Sequence, residues 1–255
     1  MSSSTVARAN EHSLEPALDL ASDTARDDTL VPLAHSGLRA AVLASYVGDF
    51  GKLLTVADAR TGLGVVSGAH AEFGATLTWR VNLGVLFPLG QHGASGWALG
   101  PSVGTDNETF YFGDWDDAHP YWIGATWLGP RYYAWTRLNA DWAVRWDVQA
   151  ALAGLLSRPP AYRKTKQETS DSIWIYAAAP THEPTVAWLD EFQVLRALVS
   201  FHRDRAGGVA SGLGPSAAVP KGWGLGSELT LLHASRPASA FSLELGLRFS
   251  YAWGL

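Results

Sequence analysis

From Phe241 to Leu255 the chain alternates without a slip. Phe241, Leu243, Leu245, Leu247, Phe249, Tyr251, Trp253 and Leu255 are bulky and apolar, while Ser242, Glu244, Gly246, Arg248, Ser250, Ala252 and Gly254 are polar, charged or small. Successive side chains of a strand point to opposite faces. The segment therefore has one apolar wall and one wall of ionic or tiny groups. Soluble strands usually run about 5–6 residues, and this one is far longer. Such length and sidedness predict one wall strand of a closed transmembrane β-barrel, in which lipid-facing and lumen-facing residues alternate.

Three further stretches have the same character. Phe73, Ala75, Leu77, Trp79, Val81, Leu83, Val85 and Phe87 share one face, against Gly74, Thr76, Thr78, Arg80, Asn82 and Gly84. Pro88 is expected to end that strand, because it has no N–H to donate. Tyr132–Leu152 reads as one long strand, with Tyr132, Ala134, Leu138, Ala140, Trp142, Val144, Trp146 and Val148 opposite Arg137, Asn139, Asp141, Arg145, Asp147 and Gln149. Trp223, Leu225, Leu229 and Leu231 oppose Gly224, Gly226, Glu228 and Thr230. Weaker strand signals fall at 38–47, 96–104, 108–113, 121–129, 172–179 and 187–202. The last also fits a helix, from Pro184 to Gly207-Gly208. Loops are expected at 88–96, 104–108, 113–120, 157–171 and 204–221.

Composition agrees with this reading. The chain has 255 residues, a net charge of -5 and only 17% charged residues, against about 25% in an average domain. Its mean hydropathy is +0.00, and no run approaches the roughly 20 apolar residues that a spanning helix needs. A barrel hides its apolarity by alternation. The chain has 12 Trp and 8 Tyr, residues that favour membrane–water interfaces. It contains no cysteine, which removes disulfide and thiol chemistry, and it has no basic cluster of the kind nucleic acid requires.

Residues 1–35 read as a disordered or periplasmic tail, polar and carrying Glu11, Glu15, Asp19, Asp23, Asp27 and Asp28; the barrel is expected over 36–255. Met1-Ser2-Ser3-Ser4 leads into no apolar signal core, so a processed or re-engineered start is expected. At roughly 20–25 residues per strand and connection, the barrel has 8–12 strands, with ten favoured by the even-number rule.

At the carboxyl end, Glu244, Gly246, Phe249 and Tyr251 resemble the β-signal of outer-membrane β-barrel proteins: a polar residue, a glycine two later, then hydrophobic residues at alternate positions. The resemblance implies an outer-membrane location in a Gram-negative envelope and recognition by the barrel-insertion machinery. It implies no particular activity.

Several constellations invite chemistry. The inward charges Arg80, Arg137, Asp141, Arg145, Asp147, Glu228, Glu244 and Arg248 could line a selective channel. Their mixed signs, for example Arg137/Asp141 and Arg145/Asp147, favour a lumen closed by paired side chains, because a narrow barrel is filled from within. Trp79, Trp142, Trp146, Trp223, Tyr251 and Trp253 all fall on the apolar face, which favours anchoring at the bilayer boundaries over a sugar-binding platform. The run Gly113–Tyr121, with Asp114, Asp116, Asp117 and His119, could in principle hold Ca²⁺, but it lacks the EF-hand spacing and reads as a solvated loop. His70, His182 and His202 have no metal-ligand spacing.

His233 and Ser235, with Glu244, resemble the His-x-Ser element and triad of the lipid A 3-O-deacylases, lipid-facing esterases of the outer membrane. Here the parity of Glu244 points it inward, where it cannot orient a histidine outside the wall, and Arg236 stands where those enzymes usually have Asn. The sequence therefore predicts an all-β, antiparallel transmembrane barrel with a filled lumen. It would act as a structural or partner-binding envelope component in contact with the bilayer, without metal, cofactor or nucleic acid. A small-solute pore or a lipid-modifying enzyme is the alternative.

Overall fold

The computed structural model describes residues 11–27, 31–68, 73–92, 95–112, 121–139, 141–158, 184–203, 219–235 and 239–255. They form strands β1 (Glu11–Asp27), β2 (Val31–Asp49), β3 (Leu54–Ser67), β4 (Phe73–His92), β5 (Ser95–Phe112), β6 (Tyr121–Arg137), β7 (Trp142–Ala150), β8 (Ala153–Ser157), β9 (Thr185–Trp188), β10 (Phe192–Arg203), β11 (Gly222–Ala234) and β12 (Ala240–Gly254). No helix occurs among the described residues.

Neighbouring strands pair antiparallel, and the sheet closes through β1 against β12 (Leu18↔Phe249) and β5 against β6 (Val103↔Leu128). β7 and β8 lie end to end along β6, at Arg131↔Gln149 and Leu128↔Ala153. They are one wall strand broken at Ala151-Leu152. Gly129 faces that break, and a Cβ there would lie 1.8 Å from the Ala150 carbonyl oxygen, so the irregular backbone passes only against glycine. β9 and β10 likewise make one wall strand, interrupted between Trp188 and Phe192 where the Glu191 N–H bonds the Trp188 carbonyl. The result is a closed ten-stranded barrel.

The structure corrects the sequence reading at several elements. Residues 11–27 and 31–35 are not a tail: β1 and the start of β2 lie in the wall, with β1 between β12 and β2. Glu15, Asp19 and Asp23 share odd parity and are buried on the lumen side, while Leu14, Leu18 and Leu20 face out. The segment looks polar because its inward face is acidic and its outward face includes Pro16, Ser22 and Thr24.

Tyr132–Leu152 is a hairpin and not one strand. β6 ends at Arg137, and the turn is held by the Leu138 N–H on the Trp142 carbonyl (2.8 Å) and by Asn139 Oδ1, which accepts from the N–H groups of Asp141 and Trp142. Partners such as Arg137↔Ala143 and Arg131↔Gln149 share parity, so the alternation runs through the turn unbroken and conceals it.

Pro88 does not end β4. The register shifts between Pro88 and Gly90, a bulge that accommodates the missing donor, and the strand continues to His92. The proposed loops 88–96 and 104–108 are therefore mostly strand. The segment 187–202 is strand on either side of a turn at 189–191, with no helix. The readings of 172–179 as strand and 113–120 as a carboxylate loop lie outside the described residues, as do His70 and His182.

Candidate functional site

Two faces of the wall matter for function. Outward stand Leu18, Leu38, Leu63, Phe73, Leu83, Trp223, Leu247 and Phe249, each left largely uncovered, with Leu38 and Leu63 both 68% exposed. In water so broad an apolar surface would drive association. The ring closes through the strands β1–β7 and β10–β12, so that each of these pairs on both sides, the condition that hydrocarbon imposes on a spanning sheet. The chain has the fold of a membrane-spanning β-barrel.

Inside, three layers are stacked along the barrel axis. At the end that bears Glu11 and Gly254, here the terminal end, Val47, Leu54, Val56, Leu86, Ala98, Tyr133, Trp135 and Val219 form a buried apolar cluster. At the far end a second cluster includes Val66, Phe110, Ile123, Trp127, Leu156, Phe192, Val194 and Leu232.

Between these clusters runs a belt of ion pairs that crosses the lumen. Arg80 reaches Glu228 on the other side of the barrel at 2.7 Å and Asp106 at 3.0 Å. Asp106 also accepts from Trp127 Nε1 at 2.6 Å and from Arg196. Arg248 bonds Asp19 at 3.1 Å and Glu228. Glu244 accepts from both Arg39 and Arg60, and Arg39 also holds Asp23 and Glu108, each at 2.5 Å. Nearer the terminal end, Arg131 takes Asp147 at 2.5 Å and Asp58 at 3.1 Å. Such pairing is what permits charges to stand in a narrow, poorly hydrated space. Among the described residues the lumen retains a cavity of about 50 Å³ on the terminal side of the belt and one of about 30 Å³ on the far side.

Of the charges picked from sequence, Arg145, Asp147, Glu228, Glu244 and Arg248 are buried in the lumen and Arg80 is half-buried there. Arg137 and Asp141 are not: Arg137 ends β6 and Asp141 is exposed in the turn. The expected Arg145/Asp147 pair is also absent, since Asp147 is bound by Arg131. Sequence reasoning missed Asp19, Asp23, Arg39, Arg60, Asp106 and Arg131. The parity of Glu15, Asp19 and Asp23 against Leu14, Leu18 and Leu20 was the available signal for the first two.

The aromatics Trp223, Tyr251 and Trp253 stack edge to face at the terminal end, with ring centroids 5.0 and 5.4 Å apart. Trp142 opens β7 at the same end and Trp146 lies farther along it, whereas Trp79 pairs with Thr61 and Asn107 toward the far half of β4. Gly246 and Glu244 point inward, and Phe249 and Tyr251 point outward. His233 lies half-buried on the outer wall, and Ser235 Oγ donates to the main-chain carbonyl of Glu191 at 3.3 Å. Glu244 is inside the barrel on its two arginines, so the wall separates it from His233. No group of metal-ligating side chains occurs among the described residues.

No protein-family model matches the chain, and no curated protein matches it. Among solved structures, the chain is similar to the outer membrane protease OmpT from Escherichia coli, at 7% identity and TM-score 0.45, covering 96% of this chain and 96% of that one. It is also similar to an outer membrane channel from Pseudomonas putida F1, at 9% identity and TM-score 0.42, covering 99% of each. The translocator domain of autotransporter NalP from Neisseria meningitidis gives 8% identity and TM-score 0.41, covering 95% of this chain and 89% of that one. These are likenesses of fold alone.

Proposed function

We propose that this protein is a non-conducting component of the outer membrane, a structural or partner-binding barrel that enters the membrane through recognition of β12 by the insertion machinery. One observation carries the reading: the lumen is filled in series by an apolar layer, a belt of ion pairs and a second apolar layer. A passage for hydrated solutes needs a continuous wet path, and the crosswise pairs Arg80–Glu228 and Arg60–Glu244 occupy that path. An esterase of the lipid-facing kind would need an acid beside His233, and Glu244 is held within the barrel. What remains for function is the outer surface and its two rims.

Single-channel recording in a planar bilayer tests the proposal. Purified barrel is expected to insert without a step in current, and a stable, sizeable open state would replace the present reading with the pore. Copurification from native membranes would then identify the envelope partner.

A further inference from the structure

Arg145 is 3% exposed, yet among the described residues no carboxylate lies within ion-pair distance of it. Its Nη2 donates to the main-chain carbonyl of Val219 at 3.2 Å, and its Nε and Nη1 are buried with no hydrogen-bond partner. Three of the four acids that share its cavity are already committed. Asp147 and Asp58 are on Arg131, Glu228 is on Arg80 and Arg248, and Glu15 stands 3.6 Å from His202. An arginine so placed retains unused donors in a poorly hydrated space, which is costly.

The surroundings of Arg145 are two-natured. The cavity of about 50 Å³ before it is lined by Val47, Val56, Tyr133 and Pro220 on one side, and by Arg145, other arginines and the carboxylates of Glu15, Asp58, Asp147 and Glu228 on the other. Val219, adjoining it, is fully buried in the apolar layer with Leu54, Leu86 and Trp135. The chain thus offers Arg145 a carbonyl oxygen and offers the apolar ring a branched aliphatic group. Both come from Val219, three residues before β11.

We propose that this terminal mouth is a binding site for a small aliphatic monocarboxylate, and that Val219 and Pro220 occupy it in the ligand's place. A carboxylate presents two oxygens to a guanidinium fork and makes shorter, stronger bonds than a neutral carbonyl. One oxygen takes Nη2 from Val219 and the other takes a donor now unused. The cavity accommodates the head, and the seat vacated by the Val219 side chain accommodates the tail. Binding here requires no passage through the barrel, so the site is independent of whether the lumen conducts.

Calorimetric titration of hexanoate into the barrel in lipid nanodiscs, with empty nanodiscs subtracted and 1-hexanol as the uncharged comparator, tests the site. The double variant Val219→Gly/Pro220→Gly, which loosens the internal occupant, is expected to bind hexanoate saturably and about tenfold tighter than the parent. Adding Arg145→Gln to it is expected to weaken binding by about tenfold or more, the loss of hydrogen bonds to a charged group. Where that variant does not fold, Arg145→Lys keeps the charge without the fork, and weakened saturable binding is expected. The absence of saturable binding to the loosened variant, meaning that only water fills the cavity, overturns the proposal. So does hexanol binding as well as hexanoate, or affinity unchanged by either Arg145 substitution.

Discussion

Asp106 receives donors from three different wall strands: Arg80 on β4, Trp127 on β6 and Arg196 on β10. Removing its carboxylate would leave the buried Arg196 and the half-buried Arg80 short of a partner and an indole N–H unpaired. Breaking a buried pair by deleting one member costs about 3–5 kcal/mol. Asp106→Ala is therefore expected to lower barrel stability by about that amount in urea unfolding from lipid vesicles. Asp141→Ala, at an exposed turn position, is expected to stay within about 0.5 kcal/mol of the parent. The contrast also marks what was readable. Parity alone places Arg80, Asp147, Glu228, Glu244 and Arg248 inside. It does not say where a strand stops, so it puts Arg137 and Asp141 with them. Nor can it say who pairs with whom: Arg80 meets Glu228 only because closure brings β4 and β11 face to face across the lumen.

Strands were legible where the outward face is uniformly large, as in β4 and β12, and obscured where the inward face is strongly charged. β1 is the clearest case. Its Leu18 faces hydrocarbon and pairs with Val42 and Phe249, so Leu18→Arg should cost about 2–4 kcal/mol if it lies at the bilayer midplane. A mobile tail at this segment would show no effect in the same unfolding measurement. β12 offers a different test. A Cβ added at Gly246 would meet nothing nearer than Ala21 Cβ at 3.7 Å, so packing within the folded wall does not demand glycine there. Gly246→Ala should leave the stability of refolded barrel within about 0.5 kcal/mol of the parent. If the insertion machinery reads this strand, the same variant should reduce the amount of barrel assembled in cells. Unchanged assembly, measured by surface proteolysis and heat-modifiable mobility, would remove Gly246 from the signal.

At the scale of the whole barrel, the seals escaped sequence reasoning because they break the very alternation that revealed the fold. Tyr132, Tyr133, Ala134 and Trp135 are apolar on both faces, which reads as noise in a parity pattern. In the closed barrel, Tyr133 and Trp135 are the inward members and close the terminal end. Trp127 and Phe192 do the same at the far end, where Trp127 also ties its layer to the belt through Asp106. Barriers in series do not substitute for one another: current needs every layer open at once. Trp135→Ala with Val219→Gly should therefore leave the bilayer current at the parental level, and so should Phe192→Ala with Ile123→Ala, although emptying buried aromatic positions costs about 3–5 kcal/mol each and folded protein must be verified first. A current should appear only when both layers are opened together with the belt, for example by adding Arg80→Ala. Should the Trp135/Val219 variant conduct alone, the far cluster and the ion pairs would be permeable packing, and the terminal layer would be the single closure of the barrel.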